Sequence, residues 1–425
     1  MKRRALLQGI AGGATLSAIA GCATSPGASP RPRVVVVGGG FGGATAAKDV
    51  RLLSDGRVDV VLIEPSRSFV SCPVSNLVVG GQRRMADLTM SFDTLRTRHG
   101  VSIVRDTVTA IDVERKAVRL ARADEIRYDR LVVSPGADLV FDAIEGLASA
   151  RAGGRVLQAW TAGPQTEALR RQLEAMRDGG TFAIAIPEAP YRYPPGPHER
   201  ACVVAAWLKA NRPRSKVLVL DANPAVVSKP ALFHKAWAEL YPGMVEYRPL
   251  HKAVAVDEKS MTLRFEIAEE VRADVLNVLP PMRAGDILAR AGLVGDGSRW
   301  ASVDYRTFAS TAARDVHVLG DSILAAPAMP KSAHMANGHG KVAAAAIVAE
   351  LAGDAPDREP MLTNTCCSYV SGTEAMYTSS VHAYVEAEKT FRTIPGSGGV
   401  SAARSTAEAA YAARWARNIW SDTLA

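Results

Sequence analysis

Apolar runs and helical stripes alternate along most of this chain. The first run, residues 34–37, leads directly into a glycine-rich turn, and residues 44–53 then carry a helical pattern. A second apolar run, residues 58–63, ends at Glu64. Continuous apolar runs separated by helices are typical of parallel strands buried on both faces. The pattern therefore predicts a βαβ unit at the start of an α/β fold.

The turn after the first strand has the spacing of a dinucleotide-binding loop. Its glycines permit a tight turn, the close approach of a pyrophosphate and the packing of helix on strand, while the helix N-terminus faces the anion. Glu64 at the end of the second strand is predicted to accept the ribose hydroxyls, and Pro65 to contact the cofactor beside it. The loop residues predicted at the nucleotide are Gly38, Gly40, Phe41 and Gly43.

Two later segments indicate that the dinucleotide is FAD. A predicted strand over residues 128–134 ends in a small turn at Gly136, as in enzymes similar to flavoprotein disulfide reductases. A buried strand closed by Gly320 and Asp321 would place that carboxylate on the ribityl side of the flavin, and capping of the following turn is a compatible second role. Lys331 and Ser332 precede an alanine-rich helix predicted over residues 341–351. The N-terminus of that helix, with Lys331 and Lys341, would stabilise a reduced, anionic flavin.

A second βαβ pattern lies between the two FAD segments. Strands are predicted over residues 181–186 and 216–220, with helices over 165–176 and 201–210. Where a pyridine-nucleotide domain would have its own glycine loop, residues 187–197 are rich in proline and include Tyr193. Proline lacks the N–H donors that hold phosphate, and bulky side chains block the approach of a nucleotide to the backbone. We therefore expect no NAD(P)H site, a small electron donor and a protein acceptor.

The first thirty residues have a different composition. Lys2, Arg3 and Arg4 precede a diluted apolar segment, and small residues lead to Cys22. This arrangement is typical of a twin-arginine export signal and predicts a periplasmic protein. Cys22 is either a lipid-acceptor cysteine, which would give the only membrane attachment expected, or an incidental residue at a cleavage site.

Charge and hydropathy exclude two other classes of protein. The net charge of +8 falls to about +5 without residues 1–22, which is too small and diffuse a charge to indicate nucleic-acid binding. After residue 30 no apolar stretch approaches the roughly 20 residues of a membrane span.

Several motifs spread over essentially the mature chain carry a resemblance to a known family. They are the glycine loop, Cys72 with Ser75 and Asn76, residues 190–201, and segments at 279–285, 318–321, 329–332, 364–366, 397–400 and 411–423. In these motifs the chain resembles the flavoprotein subunit of flavocytochrome c sulfide dehydrogenase.

The resemblance implies that Cys72 holds FAD through a thioether, that Asn76 lies at the cofactor, and that electrons pass to a separate c-type cytochrome subunit. No C-x-x-C-H haem motif occurs here, which agrees with a separate cytochrome. The alternative for Cys72 is a small buried hydrophobic residue.

The chain departs from this family at one position. The family has a redox-active cystine beside the flavin; one of its cysteines matches Cys366, but the other position holds Tyr193. A tyrosine cannot exchange a disulfide, so the relay is not available in that form. Three alternatives stay open: a strained disulfide between Cys366 and Cys367, Cys366 acting alone as a thiolate that accepts sulfur, or two free thiols. Cys202, on an apolar helix face, is expected to pack in the core.

The histidines show no metal-ligand spacing, and no metal site is expected. His198 is predicted either to approach the substrate or to lie at the surface in a salt bridge with its neighbours. His334 is the better candidate for a position near the flavin.

The predicted fold is α/β, with two Rossmann-like domains of the disulfide-reductase type and a C-terminal α+β domain over the flavin. The FAD-binding domain is expected over residues 31–150 and 276–352, the second Rossmann-like domain over 151–275, and the C-terminal domain over 353–425, after an export segment of residues 1–30. The expected function is oxidation of a small sulfur compound, with transfer of electrons through flavin to a c-type cytochrome. The alternatives are an electron-transfer subunit with a different donor and a flavin-bearing assembly factor without turnover.

Overall fold

The computed structural model describes residues 31–425. The predicted export segment and Cys22 lie outside these described residues. None of the helices in the described part is long and apolar enough to cross a bilayer.

The first segment contains the glycine loop and ends before the second Rossmann-like domain. Its strands are β1 (Arg33–Val37), β2 (Asp59–Ile63), β3 (Phe69–Val70), β4 (Thr89–Met90), β5 (Ser102–Val104), β6 (Val108–Asp112), β7 (Ala117–Leu120), β8 (Ile126–Arg127), β9 (Arg130–Val133) and β10 (Ala137–Leu139). Its helices are α1 (Phe41–Leu53), α2 (Asn76–Val79), α3 (Asp93–Thr97) and α4 (Leu147–Gly153).

The second segment forms a five-stranded parallel sheet in the order β11-β18-β12-β13-β14, beside an antiparallel sheet of β15, β16 and β17. The strands are β11 (Val156–Leu157), β12 (Thr181–Ile186), β13 (Lys216–Asp221), β14 (Val245–Arg248), β15 (Ala253–Asp257), β16 (Thr262–Phe265), β17 (Val271–Arg272) and β18 (Val275–Val278). The helices are α5 (Pro164–Ala175), α6 (Gly196–Asn211) and α7 (Pro230–Leu240).

The chain then returns to the first sheet and ends in an antiparallel sheet covered by a helix. The returning elements are β19 (Met282–Ala284), α8 (Asp286–Arg290), β20 (Val303–Asp304), β21 (Ala309–Ser310), β22 (Val316–Val318) and α9 (Ala333–Ala352). The final elements are β23 (Met361–Tyr369), β24 (Ala375–Val385), β25 (Thr390–Thr393), β26 (Gly399–Val400) and α10 (Thr406–Leu424).

The sheet that positions the site has the order β20-β21-β22-β9-β1-β2-β5. Strands β22, β9, β1, β2 and β5 run parallel, so the turns after β1, β9 and β22 meet at one edge. Val34, Val35 and Val36 have no exposed surface, which is the reason for their continuous apolar pattern. The result is the α/β class that the sequence predicts.

Helix α9 begins at Ala333, not at Lys341 as predicted. Ser332 caps it by accepting a hydrogen bond from the backbone N–H of Met335 at 3.1 Å. A Cβ atom at Gly340 would lie 2.5 Å from the carbonyl oxygen of Gly42. Gly340 is therefore required where α9 crosses α1. Lys341 lies within the helix and forms an ion pair of 2.8 Å with Asp422, so the prediction that it marks the helix end is wrong.

Candidate active site

A main cavity of about 390 Å³ opens at the edge where β1, β9 and β22 end. The glycine loop and the first turns of α1 and α9 form one wall, and residues from β3, α2 and the proline-rich loop form the other. Of the residues predicted at the cofactor, those lining this cavity are Gly38, Gly40, Phe41, Glu64, Cys72, Asn76, Gly136, Gly320 and Asp321, and Tyr193 lines it as well.

The glycine loop leaves room for a ligand only on its open side. A Cβ atom at Gly43 would lie 1.9 Å from the carbonyl oxygen of Gly38, and one at Gly38 would lie 2.4 Å from the carbonyl oxygen of Ser134. A Cβ atom at Gly40 would meet no heavy atom within 4 Å. Gly38 and Gly43 therefore permit the strand–turn–helix packing, and Gly40 permits close approach from the cavity, as a pyrophosphate requires.

Glu64 stabilises the same loop. Its Oε2 accepts a hydrogen bond of 2.7 Å from the backbone N–H of Gly39, and its Oε1 accepts one of 2.8 Å from Ser66. Glu64 also lines the main cavity, and each carboxylate oxygen can accept a further hydrogen bond. Pro65 is not among the described residues that line the cavity.

Asp321 presents an unsatisfied buried carboxyl oxygen. Its Oδ1 has no hydrogen-bond partner among the described residues, and burial raises its pKa against the opposing charges of Arg192 and Lys331. A buried polar atom without a partner is costly, so its position in the cavity wall indicates that a ligand completes it. This oxygen and the open glycine loop fit the ribityl chain and pyrophosphate of FAD.

Lys331 forms a hydrogen bond with the backbone carbonyl oxygen of Asp321. Its Nζ donates hydrogen bonds to the carbonyl oxygens of Asp321, at 2.9 Å, and Ile323, and lies 3.6 Å from the centre of the Trp300 ring. Burial lowers its pKa to about 8. Lys331 does not line the main cavity, so the structure places it behind the Gly320-Asp321 turn.

Cys72 and Asn76 occupy the opposite wall, beside a buried cation. Asn76 Oδ1 accepts a hydrogen bond of 2.9 Å from Arg200 Nε, and Asn76 Nδ2 donates one of 2.8 Å to Glu199. Arg200 also donates to Asn277 Oδ1 at 2.8 Å and to two backbone carbonyls, and burial lowers its pKa to about 9. A fixed positive charge therefore lies in the same cavity wall as the Cys72 thiol.

Tyr193 separates the main cavity from the two C-terminal cysteines. It borders both the main cavity and an inner cavity of about 30 Å³. Its φ of +55° is in the left-handed region, and its backbone N–H donates to the carbonyl oxygen of Lys331 at 2.8 Å. The other described residues lining the inner cavity include Glu199, Ser332, His334, Cys366, Cys367 and Trp415.

The Tyr193 hydroxyl lies between Glu199 and the C-terminal strand β23. It is 2.8 Å from Glu199 Oε2 and 2.8 Å from the carbonyl oxygen of Cys367, and its single proton can be donated to either acceptor. Asn76 Nδ2 and the backbone N–H of Tyr369 also donate to the Glu199 carboxyl group. Burial raises the pKa of Glu199, and the three hydrogen bonds and the nearby Lys229 charge oppose this shift.

Cys366 and Cys367 are free thiols in regular strand β23. Successive residues of a strand point to opposite faces, which opposes a bond between them. The strand geometry therefore disfavours the Cys366–Cys367 disulfide relative to the other two alternatives. Cys366 Sγ lies 3.6 Å from Asn364 Oδ1, which also accepts a hydrogen bond from Ser332 at 2.8 Å.

Lys229 places a second buried cation beside these thiols. Its Nζ donates a hydrogen bond of 3.1 Å to the carbonyl oxygen of Cys366. Burial raises the pKa of both thiols, that of Cys367 to about 12, and the Lys229 charge opposes both shifts. Burial also lowers the pKa of Lys229, and the charges of Cys366, Glu199 and Cys367 oppose that shift. The lysine and the thiols therefore each favour the ionised form of the other.

The structure corrects the predictions for His198. Its side chain is fully buried, with Nε2 3.2 Å from Asp221 Oδ2, so it neither approaches a substrate nor lies at the surface. Asp221 ends β13, where a nucleotide-binding domain would present an acidic residue to ribose. Here its carboxylate is also occupied by Asn223 and by Tyr247, which argues against a nucleotide at this strand.

The structure also gives the positions of His334 and Cys202. His334 borders the inner cavity rather than the main one, and its Nδ1 accepts a hydrogen bond of 3.0 Å from the backbone N–H of Thr365. Cys202 is completely buried and accepts a hydrogen bond of 3.2 Å from Trp237 Nε1, which confirms its packing role.

Three family models match this chain. They are pyridine nucleotide-disulphide oxidoreductase over residues 32–174, the central region of the sulfide dehydrogenase [flavocytochrome c] flavoprotein chain over 166–280, and the flavocytochrome c sulphide dehydrogenase flavin-binding region over 358–424. The chain belongs to the family of flavocytochrome c sulfide dehydrogenase flavoproteins. Membership of this family implies FAD and relates the chain to the sulfide:quinone oxidoreductases, of whose length the chain spans just under two thirds.

Individual relatives agree with this assignment. The chain is 61% identical over 46 residues, 11% of its own length, to the sulfide dehydrogenase [flavocytochrome c] flavoprotein chain of Chlorobaculum thiosulfatiphilum, of which it covers 94%. It is 26% identical over 298 residues to the mitochondrial sulfide:quinone oxidoreductase of Dictyostelium discoideum. The aligned region covers 68% of this chain and 65% of that protein.

The solved structure of the sulfide:quinone oxidoreductase from Aquifex aeolicus shares the fold. Its TM-score is 0.77 at 18% identity, over 92% of this chain and 91% of that one. This similarity confirms the predicted disulfide-reductase-like fold class.

Proposed function

We propose that this chain holds FAD covalently through Cys72 and oxidises a small sulfur nucleophile at Cys366. The single observation that carries the proposal is that Tyr193 borders both the main cavity and the inner cavity. The proposed flavin site and the cysteine therefore lie on two sides of one residue. When bound, FAD supplies a two-electron acceptor that can release its electrons singly.

The residues of the main cavity have separable tasks in this proposal. Gly40 and the N-terminus of α1 hold the pyrophosphate, Glu64 holds the ribose, and Asp321 holds the ribityl chain. Arg200 supplies a positive charge beside the tethering thiol.

Acid precipitation tests whether Cys72 is bonded to the flavin. The wild-type pellet should keep the flavin colour, and a Cys72→Ser pellet should lose it. A colourless wild-type pellet would remove the covalent bond from the proposal.

The proposed sulfur chemistry uses one cysteine because Tyr193 replaces the second. Hydrosulfide and the Cys366 thiol combine into a persulfide, with release of two protons and two electrons, and oxidised flavin is the oxidant. The Lys229 charge favours ionised sulfur, and Asn364 orients the thiol. The inner cavity, about 30 Å³, has room for a water-sized reactant.

Anaerobic addition of sulfide tests this chemistry. The flavin of the wild-type protein should bleach, and that of Cys366→Ser should stay oxidised or bleach much more slowly. Cys202→Ser is the matched control, because Cys202 is buried away from both cavities, and it should bleach like the wild type. Equal bleaching of all three proteins would exclude Cys366, and no bleaching in any of them would exclude sulfide as the donor.

For the electron acceptor we propose a c-type cytochrome subunit. The support is the match to flavocytochrome c family models over both the central and the flavin-binding regions. The relatives named sulfide:quinone oxidoreductase define the competing outcome. With sulfide as donor, the protein should reduce a c-type cytochrome faster than a soluble quinone, and the reverse order would reassign the acceptor.

A second candidate is an electron-transfer subunit whose donor is not sulfide. Tyr193 favours it, because the phenol replaces half of the family's cystine and closes the wall between the cavities. In that case another small reductant bleaches the flavin, and Cys366→Ser has no effect on the rate.

We further propose periplasmic export from the arginine pair and Cys22, which cell fractionation of an Arg3→Lys, Arg4→Lys variant would test.

A further inference from the structure

Cys366 borders a third space, which we call the outer cavity. It has a volume of about 450 Å³ and shares no described lining residue with the main cavity. Pro190, Pro195, Val227 and Met329 form much of its wall. A small molecule in this cavity could therefore reach Cys366 without passing through the proposed flavin site.

The cysteine end of the outer cavity is electropositive. None of the described residues that line it is a carboxylate. Lys331 lines it, and Lys229 follows its lining residue Ser228 and donates to the carbonyl oxygen of Cys366 at 3.1 Å. Burial lowers the pKa of Lys229, and the charges of Cys366 and Glu199 oppose this shift. A small anion bound beside Lys229 would further favour its charged form, because the buried surroundings screen the pair poorly.

The composition of the wall restricts which anion fits. Prolines and aliphatic side chains alternate with the polar side chains of Ser228, Asn364, Thr378 and Ser380. A strongly hydrated anion would lose solvation against the apolar part of this wall. A polarizable monoanion with weak hydration loses less. Hydrosulfide and a short sulfane-sulfur chain ending in one negative charge have this character.

We propose that the outer cavity is the binding site of the anionic sulfur substrate and that Lys229 is the positioning residue that holds its charge beside Cys366. The inference rests on the proposed sulfur chemistry at Cys366 and names the route and the charge state of the substrate. It can be tested without turnover, because the alkylation of Cys366 reports access and charge directly.

The first test compares iodoacetate, an anion, with iodoacetamide, its neutral analogue, on the flavin-loaded full chain. Peptide masses identify labelling at Cys366. The rate ratio of iodoacetate to iodoacetamide should be about tenfold lower in Lys229→Met than in the wild type, because one buried charge is removed. Both reagents need the thiolate, so the ratio cancels any change in thiol ionisation. An unchanged ratio, or a folded wild-type protein with no label at Cys366, would overturn the proposal.

The second test obstructs the outer cavity and does not depend on the lysine variant folding. Val227→Trp adds bulk at the cavity wall, and Val254→Trp adds the same bulk at a similarly exposed position outside it, with exposures of 42% and 37%. Val227→Trp should slow the labelling of Cys366 by both reagents severalfold, and Val254→Trp should not. Equal labelling would overturn the proposed route. Loss of sulfide oxidation with these labelling results intact would instead refute the proposed function.

Discussion

Replacing Tyr193 by phenylalanine tests the reasoning at the position where this chain departs from its family. The substitution keeps the ring and removes one hydroxyl, which lies 2.8 Å from Glu199 Oε2 and 2.8 Å from the carbonyl oxygen of Cys367. Glu199 keeps its bonds from Asn76 and Tyr369, so the main loss is at the buried carbonyl. Leaving one buried acceptor without its donor costs about 1–3 kcal/mol.

Equilibrium urea unfolding measures this cost. Tyr305→Phe is the matched control, because its hydroxyl donates a single bond of 2.9 Å to the carbonyl oxygen of Leu324 at an exposed position, where water can replace it. We expect the Tyr193 variant to lose about 1–3 kcal/mol and the Tyr305 variant less than about 1 kcal/mol. Equal losses, or a more stable Tyr193→Phe protein, would refute the proposed hydrogen-bond network.

Three further variants test other parts of the site. Gly43→Ala should destabilise the fold by about 1–3 kcal/mol in thermal unfolding, since its Cβ atom would lie 1.9 Å from the carbonyl oxygen of Gly38. Gly40→Ala should leave the stability of the fold unchanged and lower the FAD content. Identical behaviour of the two variants would contradict the roles assigned to these glycines. Glu199→Gln should gain stability relative to the wild type as pH rises above 4.5. Because the pKa of Glu199 is raised in the folded state, the wild type loses up to about 1.4 kcal/mol per pH unit until Glu199 ionises. A stability difference that is independent of pH in urea titrations would show that Glu199 is ionised. Arg200→Met should cost more than about 3 kcal/mol in urea unfolding, because it removes the donor from three buried oxygens, Asn76 Oδ1, Asn277 Oδ1 and the carbonyl oxygen of Ala159. A smaller cost would mean that water enters the site.

The main cavity was largely predictable because its signals are local. The glycine spacing can be recognised once a strand is predicted before Gly38 and a helix after it. The Gly320-Asp321 turn can be recognised once a buried strand is predicted to end there. The prediction that no second nucleotide binds depends on a local signal of the same kind, since prolines cannot donate hydrogen bonds. The comparisons confirm the family and the fold.

The inner cavity was only partly predictable because it is assembled from distant segments. Glu199 and Lys229 carry no local signal: one follows a proline-rich loop, the other sits alone between Ser228 and Pro230. Only the folded chain brings both beside Cys366. A Glu in the first turn of a helix whose later residues, 201–208, are mostly apolar was the one available hint for Glu199.

Errors came from segments where tertiary packing overrides local preference. Residues 333–340 include Asn337, Gly338 and Gly340, which are poor helix formers, yet they are helical because α9 must approach α1 closely. His198 was misplaced for a related reason. Its charged neighbours suggested a surface, but the helix carrying it is buried on several sides, and Asp221 satisfies the ring.

The central claim, that Cys366 alone takes up sulfur, is tested most directly by the mass of its peptide after one turnover. The flavin-loaded protein should be mixed anaerobically with one equivalent of sulfide, alkylated and digested. The account predicts that the Cys366 peptide is heavier by one sulfur atom in proportion to the flavin reduced, with no change at Cys367 or Cys202. Reduced flavin with an unmodified Cys366 peptide would contradict it.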